Sequence, residues 1–275
     1  MPKRREDFTG DWMTNLLRAR FLGTGSARAL TLGNAAMVIE QDEKPLLLID
    51  CGFTALAAFE NQYQALPTNI FITHLHLDHI GGLEGLFYRL RFGRDVPMTR
   101  LFVPATLIPL LQRRIADYPG AVAEGGSNFW DVFRLCPVSD TFWLEGLLFR
   151  VFPVRHHLPD SAWGLCLPGT FLYTGDTRPI PEQLIQHAMQ GEVIFHDCGL
   201  IGNPSHTGLD DLLREYEAAW RARMVLYHYG SEREGRLLEE RNLRVAWPGD
   251  VWSLPDGRRL SAPSPFTRQP VENET

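Results

Sequence analysis

Apolar residues come in short runs broken by glycine-rich punctuation, the pattern of strands buried on one face or both. The run 19–22 is closed by Gly23-Thr24-Gly25, a second covers 36–40, and a third, 46–49, is closed by Asp50-Cys51-Gly52. Residues 54–65 then read as a helix, 69–73 as a strand and 83–91 as a second helix. The alternation continues with a strand at 101–103, a helix at 107–116, and strands near 132–135, 142–144, 147–154, 164–167 and 170–174. A helix near 181–190, a strand at 193–196, a helix at 207–220, a strand at 224–227 and a helix near 231–241 follow. The stretch 244–254 is apolar and β-like, ahead of a turn at Pro255-Asp256-Gly257. Strand runs in both halves, each followed by helices, fit two sheets packed face to face with helices outside. In such a packing the loops leaving the strand ends converge.

The 275 residues, 44% hydrophobic and 22% charged, suffice for one domain over 1–275, or for two fused halves sharing a core. About 1–15 and 263–275 are expected to be flexible. A formal charge of −6 argues against coating nucleic acid by bulk electrostatics. No segment approaches the roughly 18 consecutive apolar residues of a membrane span, so a soluble chain is expected, with no membrane partner. Lys3-Arg4-Arg5 is followed by Asp7, Asp11 and Arg18 and by no apolar stretch, which argues against a secretory leader. Cys51, Cys136, Cys166 and Cys198 are widely spaced, unlike a disulfide scaffold, and read as reduced thiols of a cytoplasmic protein.

Histidine placement carries the chemistry. Seven of the nine histidines fall in four places: His74-Leu75-His76-Leu77-Asp78-His79, His156-His157, His206 and His228. Each place follows a predicted strand. Neutral imidazole and ionised carboxylate are the usual ligands of borderline metals such as zinc. His74 and His76, two apart on an extended segment, share a side, with Leu75 and Leu77 opposite. Asp78 and His79 sit where the chain turns into Ile80-Gly81-Gly82, the glycines permitting a sharp turn that aims this second pair at a second ion. Further along, His156 and His157 both end a strand, Asp176 closes Tyr173-Thr174-Gly175-Asp176-Thr177, and His228 follows the strand 224–227. Asp176 alone is an ordinary Gly-Asp turn. His206 reads either as a catalytic group or as the first residue of a helix capped by Thr207 and Asp210.

His74-x-His76-x-Asp78-His79 is the signature of the metallo-β-lactamase fold superfamily of binuclear metal hydrolases, which the chain resembles over about residues 19–230. The segments Phe21-Leu22-Gly23-Thr24-Gly25-Ser26-Ala27 and Leu48-Ile49-Asp50-Cys51-Gly52 resemble the opening strands of its ribonuclease Z-like branch. The resemblance implies an α/β architecture, an αββα sandwich of two mixed β-sheets with helices outside. It implies two divalent metal ions, zinc by preference, with manganese or iron as alternatives. One would sit on His74, His76 and His156, the other on Asp78, His79 and His228, with Asp176 shared. His156 is preferred over His157 because its spacing to Pro159-Asp160-Ser161 and Gly164 resembles the ribonuclease J branch. His157 is left to line the pocket or to bond a loop carbonyl. In ribonuclease Z the counterpart of His206 assists phosphodiester cleavage, and a glutamate touches it. Here that place, after His196, holds Asp197, one methylene shorter. Asp78, His206 and Asp197 are thus the expected catalytic participants, with a metal-bound hydroxide as nucleophile.

Substrate expectations follow from what differs. Ribonuclease Z carries a long RNA-gripping arm between the third histidine and the shared aspartate, where this chain has only the 20 residues from His156 to Asp176. The additional domain of the ribonuclease J branch has no room either. A small phosphodiester, such as a cyclic nucleotide, is therefore expected, with β-lactams disfavoured by His206 and Asp50-Cys51-Gly52. The alternatives are a nuclease holding single-stranded or tRNA-like nucleic acid through Arg89, Arg91, Arg94, Arg113 and Arg114, and a non-enzymatic metal-binding protein. Against the latter stands the complete ligand set. A homodimer is left open.

Overall fold

Strand β2 (Ala36–Gln41) is buried at every position but its last. Both of its faces are covered, which is why its sequence reads as a continuous apolar run and not as an alternation. A computed structural model describes residues 16–94, 96, 98–115, 127, 129–254 and 257–260. The segments expected to be flexible, Ala116, and the turn residues Pro255 and Asp256 lie outside these.

Within the described residues β2 belongs to a seven-stranded sheet. The others are β1 (Leu17–Gly23), β3 (Lys44–Ile49), β4 (Asn69–Phe71), β5 (Thr99–Pro104), β6 (Phe133–Val138) and β13 (Val251–Ser253), in the order β13-β1-β2-β3-β4-β5-β6. The second sheet holds β7 (Thr141–Leu144), β8 (Leu147–Pro153), β9 (Trp163–Leu167), β10 (Phe171–Tyr173), β11 (Val193–Asp197) and β12 (Met224–Tyr227), in the order β12-β11-β10-β9-β8-β7. Both are mixed: β3 to β6 pair in parallel, as do β10 to β12, and the remaining pairs are antiparallel. The helices are α1 (Ala55–Tyr63), α2 (Leu77–Ile80), α3 (Gly82–Phe92), α4 (Ile108–Ile115), α5 (Phe129–Val132), α6 (Pro181–His187), α7 (Leu209–Glu215), α8 (Ala218–Arg221) and α9 (Glu232–Glu239).

Three apolar layers hold these elements together, each side chain allotted by the two-residue period of the strands. Between the sheets lie Phe21, Met37, Ile39, Ile49, Phe71, Phe149, Phe171, Phe195 and Tyr227. The opposite faces of β2 and β3, with Val38 and Leu48, pack under Phe59 of α1, Leu83 and Leu86 of α3 and Leu111 of α4. The outer face of the second sheet, with Phe152, Leu172 and Leu226, packs under Leu184 of α6, Leu212 of α7 and Leu238 of α9. This is the αββα sandwich expected.

Local departures have physical causes. The helix expected over 207–220 breaks at Tyr216, whose backbone is extended and whose buried hydroxyl accepts from the Ile180 amide at 2.6 Å. Its cap is also different: Asp211 accepts from the Gly208 amide, while the Thr207 hydroxyl donates to the Thr177 carbonyl at 2.8 Å. The tail 244–254 is apolar because Val245, Ala246 and Trp247 are buried, yet only its end pairs as a strand. Among the described residues no helix is long and apolar enough to cross a membrane.

Candidate metal centre

Antiparallel pairing of β8 with β9 and of β9 with β10 leaves β8, β10, β11 and β12 running in one direction. Their C-terminal ends therefore face the same way, and His156, Asp176, Asp197 and His228 lie on or just past them. The other sheet supplies His74 and His76 from the loop after β4, and Asp78 and His79 from α2. The loop after β4 is tied to the start of β9 where the Trp163 amide donates to the Thr73 carbonyl at 3.0 Å.

Nε2 of His74 lies 3.1 Å from Nδ1 of His76, and Nε2 of His156 lies 3.2 Å from that same nitrogen. Oδ2 of Asp176 is 3.6 Å from the first and 3.9 Å from the third. On its other side Asp176 Oδ2 is 3.3 Å from Nε2 of both His79 and His228. Asp78 Oδ2 completes that second group, 3.4 Å from His79 and 3.8 Å from His228. Asp176 closes one compact group with His74, His76 and His156, and Asp78, His79 and His228 form a second beside it, each compact enough for one ion; the Asp176 Oδ2 contacts at 3.3 Å to His79 and His228 bring the two together. His79 Nε2, His228 Nε2 and Asp176 Oδ1 are buried with no hydrogen-bond partner. Buried orphans of this kind are costly in a protein interior, and convergent lone pairs on neutral imidazole and carboxylate are what a divalent cation of borderline softness binds. The residues present fit a pair of such ions.

The nitrogens that do not converge are turned to other groups, which orients each ring. His79 Nδ1 donates to Asp50 Oδ2 at 2.7 Å, and Thr73 donates to Asp50 through both its amide and its hydroxyl. His74 Nδ1 faces the Thr73 hydroxyl at 3.1 Å, and His156 Nδ1 donates to the Ser205 carbonyl at 2.9 Å. Asp50 and His228 both hold the left-handed backbone conformation, φ +63° and +70°, which side-chain-bearing residues rarely adopt. The surrounding bonds impose that strain, as in the His228 amide donating to the Thr24 carbonyl at 2.7 Å.

Every residue singled out from the sequence for this centre is brought into it. Asp197 reaches His206 despite its shorter side chain: its Oδ2 accepts from His206 Nδ1 at 2.8 Å and from the Thr177 amide at 2.8 Å, while Oδ1 faces His228 Nδ1 at 3.4 Å. Burial disfavours the His206 imidazolium, but the hydrogen bond and charge of Asp197, with Asp176 behind them, outweigh it and raise the pKa above 6.5. Burial likewise opposes ionisation of Asp176, and the charges of His228, His79 and His74 overcome it, holding the carboxyl well below the usual range. His157 takes the first of its two expected roles, lining a cavity beside the centre, and bonds no loop carbonyl; its Nε2 lies 2.9 Å from Nε2 of His76 and its Nδ1 3.3 Å from the Ser205 hydroxyl. The sharp turn expected of Gly81 and Gly82 uses no glycine-only conformation at Gly81, which has helical φ −63°; Gly82 opens α3 against Gly52, whose carbonyl a Cβ would approach to 2.5 Å. Sequence reading gave Asp50 no role toward His79; its place at the end of an apolar strand, ahead of Cys-Gly, was the available signal.

A cleft of about 360 Å³ opens over the centre, lined by Ser26, Arg28, Asn203, His206 and Glu234 beside His76, Asp78, Asp176 and His228. A smaller cavity of about 150 Å³ flanks it, walled by Leu75, Leu107, Leu110, Leu158 and Arg114 together with His74, His76 and His157. Of the five arginines named as a nucleic-acid track, Arg114 reaches this region, whereas Arg89 and Arg94 line a separate groove beside α1 and Arg89 is paired with Glu60 at 3.0 Å.

The sandwich and the His/Asp centre at its strand ends are those of the metallo-β-lactamase fold. Solved structures agree on the fold: YhfI from Bacillus subtilis, a metallo-β-lactamase fold protein, superposes with a TM-score of 0.68 at 14% identity, covering 86% of this chain and 99% of that one. Zn(2+)-bound PqqB from Methylobacterium extorquens gives 0.66 at 13% identity, over 86% and 100%. Residues 17–251 match the sequence model of the family described as Anti-Pycsar protein Apyc1, and the chain belongs to that family. The Apyc1 protein of Paenibacillus harenae is 32% identical over 224 residues, 78% of this chain and 90% of that protein. That of Bacillus phage 010DV004 is 30% identical over 259 residues, 88% and 100%.

Proposed function

We propose that this protein is a phosphodiesterase acting on a small phosphodiester, such as a cyclic nucleotide, with two divalent ions, zinc before manganese or iron. His74 Nε2, His76 Nδ1 and His156 Nε2 would hold one, Asp78, His79 Nε2 and His228 Nε2 the other, and Asp176 both. When bound, such ions supply Lewis acidity toward a phosphoryl oxygen and acidify water towards neutral pH. His206 is the general acid: Asp197 occupies its Nδ1 at 2.8 Å and leaves Nε2 as the nitrogen that protonates the departing oxygen. The carboxylate of Asp197 raises the His206 pKa and so favours the protonated ring that a general acid requires.

The observation that carries the reading is this buried carboxylate–imidazole pair opening on the same cleft as both donor clusters. Cleft size supports the choice of substrate, since about 360 Å³ falls near the lower end of ordinary small-ligand sites, roughly 300–1,000 Å³. The scattered arginines support a small ligand over a nucleic-acid strand. The test is a screen of metal-loaded protein against cyclic nucleotides, linear phosphodiesters, oligonucleotides, thioesters and lactams, alongside elemental analysis. Two ions per chain and turnover of small phosphodiesters are expected. Turnover confined to thioesters or lactams, or to oligonucleotides, would overturn the substrate assignment, and trace metal after supplementation would overturn the binuclear one.

A further inference from the structure

We infer that His157 is a positioning residue that fixes the ring of His76 for metal binding. The inference rests on the reading that the centre holds two ions. Five imidazoles converge there, and four do so through Nε2, with Nδ1 turned to an oxygen: Thr73 for His74, Asp50 for His79, Ser205 for His156 and Asp197 for His228. His76 is the exception. Its Nδ1 is the converging atom, 3.1 Å from His74 Nε2 and 3.2 Å from His156 Nε2, so its Nε2 must carry the proton. Nε2 of His157 lies 2.9 Å from that nitrogen and is its hydrogen-bond acceptor. His157 must then carry its own proton on Nδ1, which faces the Ser205 hydroxyl at 3.3 Å.

The tautomers form one consistent chain, His76 donating to His157 and His157 to Ser205. Ser205 serves both neighbouring histidines, His157 through its hydroxyl and His156 through its carbonyl. A ligating histidine whose second nitrogen has a partner is held in one tautomer and one orientation, and loss of such a partner typically costs about 10–100-fold in metal affinity. His157 is exposed, so water competes for the bond and the lower end of that range applies.

The experiment is titration of zinc-loaded protein with a chromophoric chelator, which reads affinity without turnover. Three proteins are compared: the unaltered chain, His157→Ala and His157→Gln, whose amide oxygen stands near the place of Nε2 and accepts from His76. One of the two ions should be released about tenfold more readily from His157→Ala, and His157→Gln should lie within about twofold of the unaltered chain if the accepted bond is what matters. Because the ring is exposed, thermal melts of the three chelated proteins should coincide, which separates loss of affinity from loss of fold. Unchanged release from His157→Ala, or equal weakening in both variants, overturns the inference while the binuclear reading stands. An unaltered chain that holds no zinc overturns both.

Discussion

Asp197 grips His206 at 2.8 Å with one carboxylate oxygen and faces His228 at 3.4 Å with the other. A single buried side chain therefore touches both the proposed proton donor and a proposed metal ligand. His206→Ala should keep both ions and lower turnover of an alkyl phosphodiester by roughly 10²–10⁴-fold, the usual contribution of a general acid. A nitrophenyl ester expels a stable anion and should suffer much less. Loss of a metal ion, or equal damage to both leaving groups, would make His206 a ligand or a structural residue.

Asp176 differs from the other donors because its Oδ2 stands within 4.0 Å of imidazole nitrogens from both clusters. Asp176→Asn keeps the shape and removes the charge, so both ions should weaken together. His156→Ala should cost one. Elemental analysis after gel filtration against a weak chelator distinguishes these, and an Asp176→Asn protein retaining one ion at full occupancy would contradict the shared position.

How far the sequence could be read depended on the range over which each feature acts. The donor clusters were legible because chemistry and spacing are local: four donors fall within six residues at 74–79. The layers were legible through β2, where burial of both faces leaves a continuous apolar run. The groups that face these donors from behind were not, because Asp50 meets His79 across 29 positions and His157 meets His76 across 81. No periodicity encodes such pairs. The break at Tyr216 escaped for the same reason, since an apolar pattern cannot show that one hydroxyl is pinned between the Ile180 amide and His196 Nε2.

Thiol chemistry checks the packing of the sandwich. All four cysteines are free; Cys51, Cys166 and Cys198 are buried and Cys136 is partly exposed. Burial pushes the Cys166 thiol up to about 12, and burial with the neighbouring charge of Asp50 does the same for Cys51. A raised pKa keeps the thiol protonated, so at pH 8 only about one part in 10⁴ is thiolate, against roughly a quarter for an ordinary cysteine. A disulfide reagent at pH 8 should therefore titrate at most one thiol in the native protein and four in denaturant. Rapid reaction of three or four in the native state would show that these layers are not closed.

Packing at Gly52 gives a sharper test, because two glycines close together in the fold should answer the same substitution in opposite ways. A Cβ on Gly52 would stand 1.8 Å from the Asp78 carbonyl oxygen and 2.8 Å from Asn34 Cβ. The first obstacle is backbone, which cannot swing aside as a side-chain tip can. Gly52→Ala must push α2 away, and with it Asp78 and His79. Overpacking of this kind typically costs about 1–3 kcal/mol, and the upper end applies here, lowering the melting temperature by on the order of 5 °C or more. Zinc should also be released more readily, since the displaced helix carries two of the proposed ligands. Gly85, exposed on α3, is the control: its Cβ would meet only Leu56 Cδ2 at 3.5 Å, ordinary contact. Replacing a helical glycine by alanine gains up to about 1 kcal/mol, so Gly85→Ala should melt at or above the unaltered chain with metal binding unchanged. Equal melting temperatures and equal zinc retention for Gly52→Ala and Gly85→Ala would mean that the close approach of Gly52 to Asp78 does not hold the second donor cluster in place.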